Sequence, residues 1–383
     1  MIPKRILFIA EGGLGDQVTL TPALREVRAS FPDSFISVFI TYRHPPDPSK
    51  RDPFAVLSPS QIEWDNILFT TNKNVNETYV LDRYALKSQH GIARLTAEIA
   101  VVRFLRKKKF DTVICTFPHQ DRYVVWSFVS GATMRVGARN QALHWLLTHT
   151  PDIDRPKGGA VEYCCDLVRA IGATIRSTRI EYAIPESSIR WADNLLQHLK
   201  LDSSRNLVAI HPGGTAPFKI WPPDRYAALI NHVVTKLNAT VLLLKGGMDS
   251  DVVYAIRKNL KTEIIEVDCS SGVGNLAAIL KRCSLCISND SGPRHLAVAV
   301  GTPSVAFFRL FHDKEWDIYH EIETCVSLKS SGLCPACTPE RCFDRVPAGE
   351  QFGCQCLRMI SVEEVIRYVE RLLKPDSATT RSA

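Results

Sequence analysis

Short apolar runs alternate with amphipathic helical patterns along almost the whole chain, and this alternation limits the possible folds more than any other feature. Arg5–Ala10, Leu207–His211 and Leu285–Ser288 are typical of the apolar runs. Strands of this kind are buried on both faces, and parallel strands need a crossover segment, which is usually a helix. The pattern therefore predicts an α/β fold of parallel sheets covered by helices.

The same alternation places the other elements of the chain. Further strands are predicted at Phe35–Ile40, Thr112–Thr116, Thr240–Leu244, Ile264–Val267 and Ser304–Phe308. Helices are predicted at Thr19–Phe31, Ile92–Lys109, Asp224–Leu237, Asp249–Asn259, Val273–Lys281 and Pro293–Val300. Tyr42–Ser60 contains five prolines, which favours an irregular excursion over a strand or helix.

The length of 383 residues exceeds what one hydrophobic core usually serves. Pro151–Gly159 and Ile184–Glu186 bracket the predicted join between two halves. The predicted domains are residues 1–184 and 185–360, followed by a helix at 361–374 and a disordered polar tail at 375–383. Two Rossmann-like domains that face each other across a cleft are the simplest architecture for this organisation.

Hydropathy and charge narrow the location and the partners. No apolar run reaches 18 residues, and Ile6–Ala10 is too short for a signal-peptide core, so a cytoplasmic protein is expected. The formal net charge of +7 is uneven, because residues 1–185 hold 24 Lys and Arg against 18 Asp and Glu. This excess favours an anionic partner, such as a phosphorylated lipid headgroup; an ordinary solvated surface is the alternative. No nucleic-acid-binding motif accompanies the charge, which argues against a nucleic-acid partner.

Loops beyond the carboxyl ends of parallel strands are where open α/β sheets bind ligands. The first candidate loop is Gly12–Asp16, in which Gly13 and Gly15 allow close backbone approach to a ligand. Asp16 stands at the start of a helix, where a carboxylate can serve as a general base. The alternative is that Asp16 merely caps the helix, and the loop is neither a P-loop nor a complete dinucleotide fingerprint.

A second loop, His211–Pro222, offers the groups that bind a diphosphate. Its glycines provide backbone N–H groups, Thr215 provides a hydroxyl and Lys219 provides a cation. The alternative is an ordinary strand-to-helix loop with Trp221 packed inward. A third loop, Lys245–Asp249, is weaker evidence for a nucleoside site, because turns of this kind commonly contain glycine.

The fourth loop carries the most specific pattern. Ser291 is a good N-cap and Pro293 fits the first helical turn, so an exposed helix N-terminus is expected there. Such a terminus attracts phosphate through its N–H groups and its dipole, and Arg294 and His295 could meet the same anion. Capping alone explains Ser291 and Pro293, but it does not explain Asp290 and His295 beside them.

Twelve cysteines are many for a cytoplasmic enzyme. Seven lie in apolar segments and are predicted to be small core residues: Cys115, Cys164, Cys165, Cys269, Cys283, Cys286 and Cys325. The other five lie close together in the sequence: Cys334, Cys337, Cys342, Cys354 and Cys356. Four thiolates can hold zinc or an iron–sulfur cluster, but this spacing matches the usual metal motifs poorly, so a structural metal is not favoured.

Together these segments resemble glycosyltransferase family 9, the ADP-heptose:lipopolysaccharide heptosyltransferases, which have the two-domain GT-B fold. The similarity covers most of the chain. It is clearest in GLGDQVTLTPALREVRASFPDS (13–34), LRKKKFDTVI (105–114), HPGGTAPFKIWP (211–222), NDSGPRHLAVAVGTPSVAFF (289–308) and CLRMISVEEV (356–365). The segment from Asn289 to Phe308 is the most specific of these.

The resemblance implies roles for particular residues. Asp16 looks like the family's catalytic base, in a loop with Gly13 and Gly15 that belongs to the acceptor-binding N-terminal domain. Thr215 and Lys219 look like ligands of the donor's diphosphate in the C-terminal domain. The residues that look like the family's donor-binding loop are Asp290, Ser291, Gly292 and His295.

The reaction that the resemblance implies is the inverting transfer of a heptose-like sugar from ADP-heptose to a lipopolysaccharide core-type acceptor. It requires no cofactor and implies an anionic glycolipid partner, with peripheral contact at the inner membrane. Two rivals remain: another GT-B transferase with a different nucleotide sugar, and a non-catalytic nucleotide-binding or lipid-surface protein. The chain departs from the family at Arg309 and Leu310, where Gly-Pro is frequent, and at Tyr42–Ser60, which has no clear counterpart.

Overall fold

The computed structural model describes residues 2–42, 67–82, 91–117, 120–139, 142–153, 155–201, 204–247, 249–310, 313–319, 321–330, 332, 337 and 345–374. The chain divides into two compact units, Met1–Ala183 and Ile184–Ala383. Nearly all of the excursion predicted at Tyr42–Ser60 and the whole of the tail predicted at 375–383 lie outside the described residues. Within them, no helix is both long and apolar enough to cross a membrane.

The first unit is built from alternating strands and helices. Its described strands are β1 (Arg5–Glu11), β2 (Phe35–Tyr42), β3 (Glu77–Asp82), β4 (Thr112–Cys115) and β5 (Met134–Val136). Its described helices are α1 (Leu14–Ser30), α2 (Gly91–Lys108), α3 (Asp121–Val129) and α4 (Arg155–Arg169). The strands form a parallel sheet in the order β3-β2-β1-β4-β5.

The strand order of the first unit reverses between β1 and β4, which makes their carboxyl ends a topological switch point. β1 is buried from Ile6 to Glu11, as its apolar sequence predicts, and pairs with β2 from Arg5 opposite Phe35. The loop after β1 therefore emerges at the edge where such sheets bind ligands.

The second unit repeats the plan. Its described strands are β6 (Leu207–His211), β7 (Thr240–Lys245), β8 (Ile265–Asp268), β9 (Leu285–Asn289), β10 (Ser304–Phe307) and β11 (Cys325–Leu328). Its described helices are α5 (Glu186–His198), α6 (Pro223–Lys236), α7 (Ser250–Arg257), α8 (Val273–Arg282), α9 (Gly292–Ala299), α10 (Asp313–Trp316), α11 (Gln355–Arg358) and α12 (Val362–Leu373). The parallel order β11-β10-β9-β6-β7-β8 puts the switch point between β6 and β9.

The core of the second unit anchors its ligand-side loops. Trp221 is fully buried, as expected if it packs inward, with its ring 4.4 Å from that of Phe307 and 5.1 Å from that of Tyr226. Aromatic pairs at such distances contribute beyond their buried area. Helix α12 adds Val365 and Val369 to the same core.

Several elements differ from the sequence prediction. Helix α1 begins at Leu14, five residues before the predicted start at Thr19, and it includes Pro22 in its interior. The hydrophobic periodicity of the sequence did not predict the short or edge elements β3, β5, β11 and α3, because a few residues do not establish a period. Helix α4 begins at Arg155, inside the segment predicted to bracket the join, and is kinked at Gly159, where φ is 75°.

Candidate active site

Asp16 lies in the first turn of α1, directly beyond the switch point of the first unit. Gly13 occupies the N-cap position and Asp16 lies three residues later, so Asp16 is not itself the N-cap residue. A Cβ on Gly13 would lie 2.7 Å from the Asp16 carboxylate, which shows that the carboxylate folds back over the start of the helix. Gly13 is therefore needed for close packing, and Gly15 is half-buried beside it. A carboxylate here has the sign that the helix dipole favours.

Buried polar groups hold the Asp16 loop in place. The Gln17 amide donates to the carbonyl of Gly12 (3.1 Å) and accepts from the backbone N–H of Leu68 (2.9 Å). Glu11, at the end of β1, is only 3% exposed and accepts a hydrogen bond from the Tyr123 hydroxyl (2.6 Å). Sequence analysis assigned no role to Gln17 or Glu11, whose partners come from distant parts of the chain.

Asn289 fixes the loop at His211–Pro222, the predicted diphosphate loop of the second unit. This fully buried side chain donates to the carbonyls of Pro212 (2.7 Å) and Gly213 (2.9 Å). Its carbonyl oxygen accepts from the backbone N–H of Trp221 (2.9 Å) and from the Tyr226 hydroxyl (3.0 Å). One amide thus fastens both ends of the loop across the switch point. In the sequence, Asn289 is visible as a polar residue at the end of an apolar strand, but no function was predicted for it.

Asp249 joins the β6 loop to the β7 loop. Its carboxylate contacts His211 Nε2 at 3.3 Å and accepts the backbone N–H of Gly246 at 2.6 Å. A Cβ on Gly213 would collide with this carboxylate. Burial acts to raise the pKa of Asp249, but the hydrogen bond and charge of His211, together with the Gly246 N–H, lower it below its ordinary value. The third loop is therefore held by the ionised side chain of Asp249, its last residue, which had no predicted role of its own.

The start of α9 has the position predicted for a phosphate-binding terminus. Ser291 is the N-cap residue and Gly292 opens the helix, beside the switch point. The Ser291 hydroxyl donates to the carbonyl of Asn289 (3.2 Å) and makes no capping hydrogen bond, so the predicted side-chain cap is not formed. The first N–H groups of any α-helix lack partners within the helix, which makes this terminus suitable for an anion.

Arg294 and His295 are buried behind that terminus. Arg294 is fully buried, pairs with Asp317 (2.9 Å) and donates to the Ser327 hydroxyl (2.6 Å). The prediction that Arg294 could meet the anion is therefore wrong, because its charge is neutralised within the core. His295 Nδ1 lies 2.6 Å from the Tyr319 hydroxyl. Burial, followed by the charge of Arg294, lowers the pKa of His295 to about 3, so the imidazole is neutral near pH 7.

Lys219 and Asp290 come together at the same edge of the sheet. Burial raises the pKa of Asp290 to about 6, and the positive charges of Arg294, Lys219 and Arg309 oppose that rise. Thr215 lies on the same loop as Lys219 and is exposed. The second unit thus brings the predicted donor-binding residues to one edge, whereas Asp16, Gly13 and Gly15 belong to the first unit.

The described cysteines fall into two groups. Six of the seven predicted core cysteines are buried, and Cys269 is half-buried. In the cluster, Cys337 Sγ lies 3.7 Å from Cys356 Sγ, while Cys334 and Cys342 lie outside the described residues. The backbone N–H of Cys354 donates to the carbonyl of Phe218 (3.0 Å), so the cluster supports the diphosphate loop. No group of three or more metal-ligating side chains is found among the described residues.

Comparisons with known proteins agree with this geometry. The family described as glycosyltransferase family 9 (heptosyltransferase) matches residues 99–342. Lipopolysaccharide heptosyltransferase 3 of Escherichia coli is 23% identical over 305 residues, which cover 77% of this chain and 80% of that protein.

Solved structures match over nearly the whole chain. The glycosyl transferase family 9 structure from Veillonella parvula DSM 2008 has a TM-score of 0.70 at 23% identity and covers 97% of both chains. The E. coli ADP-heptose lps heptosyltransferase II has a TM-score of 0.69 at 18% identity and covers 98% of this chain and 100% of that one. The likeness confirms the predicted fold class, an α/β protein of the GT-B type with two Rossmann-like units.

Proposed function

Because this chain belongs to glycosyltransferase family 9, we propose that it transfers a heptose-like sugar from ADP-heptose to a lipopolysaccharide core-type acceptor. It is a glycosyltransferase, and its relatives include lipopolysaccharide heptosyltransferases that it matches over about four-fifths of their length. One of the solved structures like it is named for ADP-heptose.

One observation carries the donor side of the proposal. At the switch point of the second unit, the helix N-terminus at Ser291 and Gly292 and the loop with Lys219 are fastened together by the Asn289 amide. A helix terminus and a lysine are the groups that bind phosphate, and a rigid loop binds at lower entropic cost. We assign the donor diphosphate to this edge, with Thr215 as a further contact. His295, whose ring is buried beside the Tyr319 hydroxyl, is proposed to support the donor-binding loop from behind.

The catalytic step is assigned to Asp16. Its carboxylate takes the proton of an acceptor hydroxyl, whose oxygen forms a bond to the anomeric carbon of the donor sugar. The bond from that carbon to the diphosphate oxygen breaks, and its electron pair leaves with the nucleoside diphosphate. A single displacement through an oxocarbenium-like transition state inverts the anomeric configuration.

The leaving group is the second chemical problem. Negative charge grows on the diphosphate as the glycosidic bond breaks, and preorganised donors aimed at such charge accelerate a reaction. We assign this stabilisation to Lys219, Thr215 and the start of α9, and the proposal calls for no metal or other cofactor. We therefore expect the transferase activity to persist in the presence of a chelator.

The cysteine cluster is proposed to pack as thiols. Cys356 is fully buried and Cys354 is 2% exposed, both within the apolar core of the second unit. The side-chain hydrogen bond with Cys356, followed by burial, raises the pKa of Cys354, which favours the thiol over the thiolate that a metal needs. Elemental analysis of the purified protein tests this assignment, because one zinc or iron per chain would contradict it.

The acceptor is proposed to be an anionic glycolipid reached from the cytoplasm. The first unit carries the basic excess, and charge of this sign attracts anionic headgroups. The enzyme would then work as a peripheral protein at the inner membrane, with its acceptor-binding loops on the first unit.

A panel of nucleotide sugars tests the donor assignment. The enzyme should release free nucleoside diphosphate slowly from ADP-heptose. The release should be much slower from UDP- and GDP-sugars of similar size. Faster turnover of another nucleotide sugar would favour a different transferase of this fold. If binding occurs without turnover in the presence of an acceptor, the chain is a nucleotide-binding protein instead.

A further inference from the structure

Arg309 follows β10 at the ligand edge of the second unit. β10 pairs in parallel with β9, and the backbone N–H of Asp290 donates to the carbonyl of Phe307 at 3.0 Å. Two residues later in the chain, Arg309 is therefore placed beside Asp290 and next to the switch point.

The surroundings of Arg309 are those of the diphosphate loop. Its guanidinium carbon lies 5.1 Å from the ring centroid of Phe218, the residue before Lys219. Stacking of this kind holds the plane of a guanidinium while leaving its N–H groups at the edges. Arg309 is only 4% exposed, and a charge in such a place is weakly screened.

Asp290 is the carboxylate on which the charge of Arg309 acts. Arg294 pairs with Asp317, whereas Lys219 and Arg309 are further cations close enough to Asp290 to lower its pKa. The pKa of Asp290 is raised to about 6, so this carboxyl tolerates protonation at little cost. An entering diphosphate can therefore compete with the Asp290 carboxylate for the cations of Lys219 and Arg309.

We infer that Arg309 is a donor-binding residue, which donates hydrogen bonds to the diphosphate of the nucleotide sugar beside Lys219. The inference rests on the proposed function and deepens it by naming a contact outside the four loops. A guanidinium presents a planar fork that matches two phosphate oxygens at once, which a lysine cannot do. With Arg309 and Lys219 together, the site supplies two positive charges to the departing diphosphate.

Binding of ADP and of adenosine to Arg309→Gln separates a phosphate contact from a structural role. ADP affinity should fall by about 10- to 100-fold, the range for a charge-assisted hydrogen bond, while adenosine affinity stays within about twofold. Arg309→Lys keeps the charge and loses the fork, so its ADP affinity should lie between those of Arg309→Gln and the wild type. Arg371→Gln, on the exposed side of α12, is the matched control and should bind ADP normally.

Two results would overturn the inference. One is an unchanged ADP affinity in Arg309→Gln; the other is an equal loss of ADP and adenosine affinity, which indicates that the residue only supports the loop. Thermal melting of each variant shows whether it is folded. If Arg309→Gln does not fold, the ADP and adenosine affinities of Arg309→Lys are compared with those of the wild type instead. Failure of the wild-type protein to bind ADP at all would count against the proposed function itself.

Discussion

Asp16 and Gly13 form a local unit in which the glycine is required by the carboxylate. The side chain of Asp16 covers the position where a residue other than glycine would place its Cβ, 2.7 Å from the carboxylate oxygen. The sequence singled out Asp16 but predicted a later helix start, because Gly15 is a poor helix former and Pro22 usually marks a first turn. The early start at Leu14 places Asp16 in the first turn of α1, and its role as a general base stays a prediction.

Asp16→Asn tests that role with little change in shape. The amide cannot take a proton from the acceptor, so kcat should fall by about 10²- to 10⁴-fold while ADP affinity stays unchanged. Asp121→Asn is a matched control, because Asp121 also lies in the first turn of a helix in the same unit. Steady-state kinetics decide the question, and turnover near the wild-type rate in Asp16→Asn would remove the base from the mechanism.

Asp290 links stability to pH. Folding raises its pKa from 3.8 to about 6, so its contribution to stability is full below pH 3.8 and is lost as the pH rises through about 6. Ionised Asp290 therefore opposes folding near neutral pH, by up to about 3 kcal/mol at about 1.4 kcal/mol per pKa unit.

Asp290→Asn should accordingly raise the free energy of unfolding by about 1–3 kcal/mol at pH 7.5 and give no gain at pH 3.5. Urea denaturation at both values measures this difference. The exposed residue Asp251 supplies the control, since Asp251→Asn should change stability by only about 0.5 kcal/mol at either pH. A stability gain that is the same at both pH values would mean that ionisation of Asp290 is not the cause.

The loops at the sheet edge act as connected elements. Asn289 ties the β9 end to the β6 loop, and Asp249 ties the β7 loop to Gly213. These contacts join residues that are far apart in the sequence, whereas periodicity and turn chemistry describe only neighbours. The long central strands and their helices could therefore be predicted, but the connections that make the edge rigid could not. Cys354 is a further case, because its bond to Phe218 spans more than a hundred residues.

Gly213→Ala tests the connection between the β6 and β7 loops. The new Cβ must displace the Asp249 carboxylate, so the free energy of unfolding should fall by about 1–3 kcal/mol and ADP should bind more weakly. Gly247→Ala is the control, since nothing lies within 4 Å of a Cβ at that glycine. In an Asp249→Ala background, Gly213→Ala should lower the free energy of unfolding by a clearly smaller amount, which a double-mutant cycle measures. Additive costs would show that the two residues are not coupled.

At the scale of the whole molecule, the uneven charge is the feature that bears on the acceptor. Residues 1–185 carry 24 Lys and Arg against 18 Asp and Glu, and α2 ends with Arg106, Lys107 and Lys108. A basic residue near an anionic membrane contributes about 1 kcal/mol. The sequence shows the excess of charge, but the surface that would meet a membrane depends on side chains from separate segments.

Vesicle flotation tests electrostatic docking. Binding to anionic vesicles should fade between 0.1 M and 1 M salt, as the Debye length falls from about 10 Å to about 3 Å. Lys107→Gln with Lys109→Gln should weaken binding at low salt, whereas Lys258→Gln with Lys261→Gln in the second unit should not. Equal binding to neutral and anionic vesicles, or none to either, would mean that the basic excess of the first unit does not serve membrane docking.

We propose that this enzyme moves heptose from ADP-heptose onto a lipopolysaccharide core-type acceptor. The most direct measurement is to incubate the protein with ADP-heptose and a core acceptor that lacks heptose, and to analyse the product by mass spectrometry and NMR. The acceptor should gain one heptose, ADP should be released in equal amount, and the anomeric configuration should be inverted. Retention of configuration, or no heptose on the acceptor while another nucleotide sugar is consumed, would contradict it.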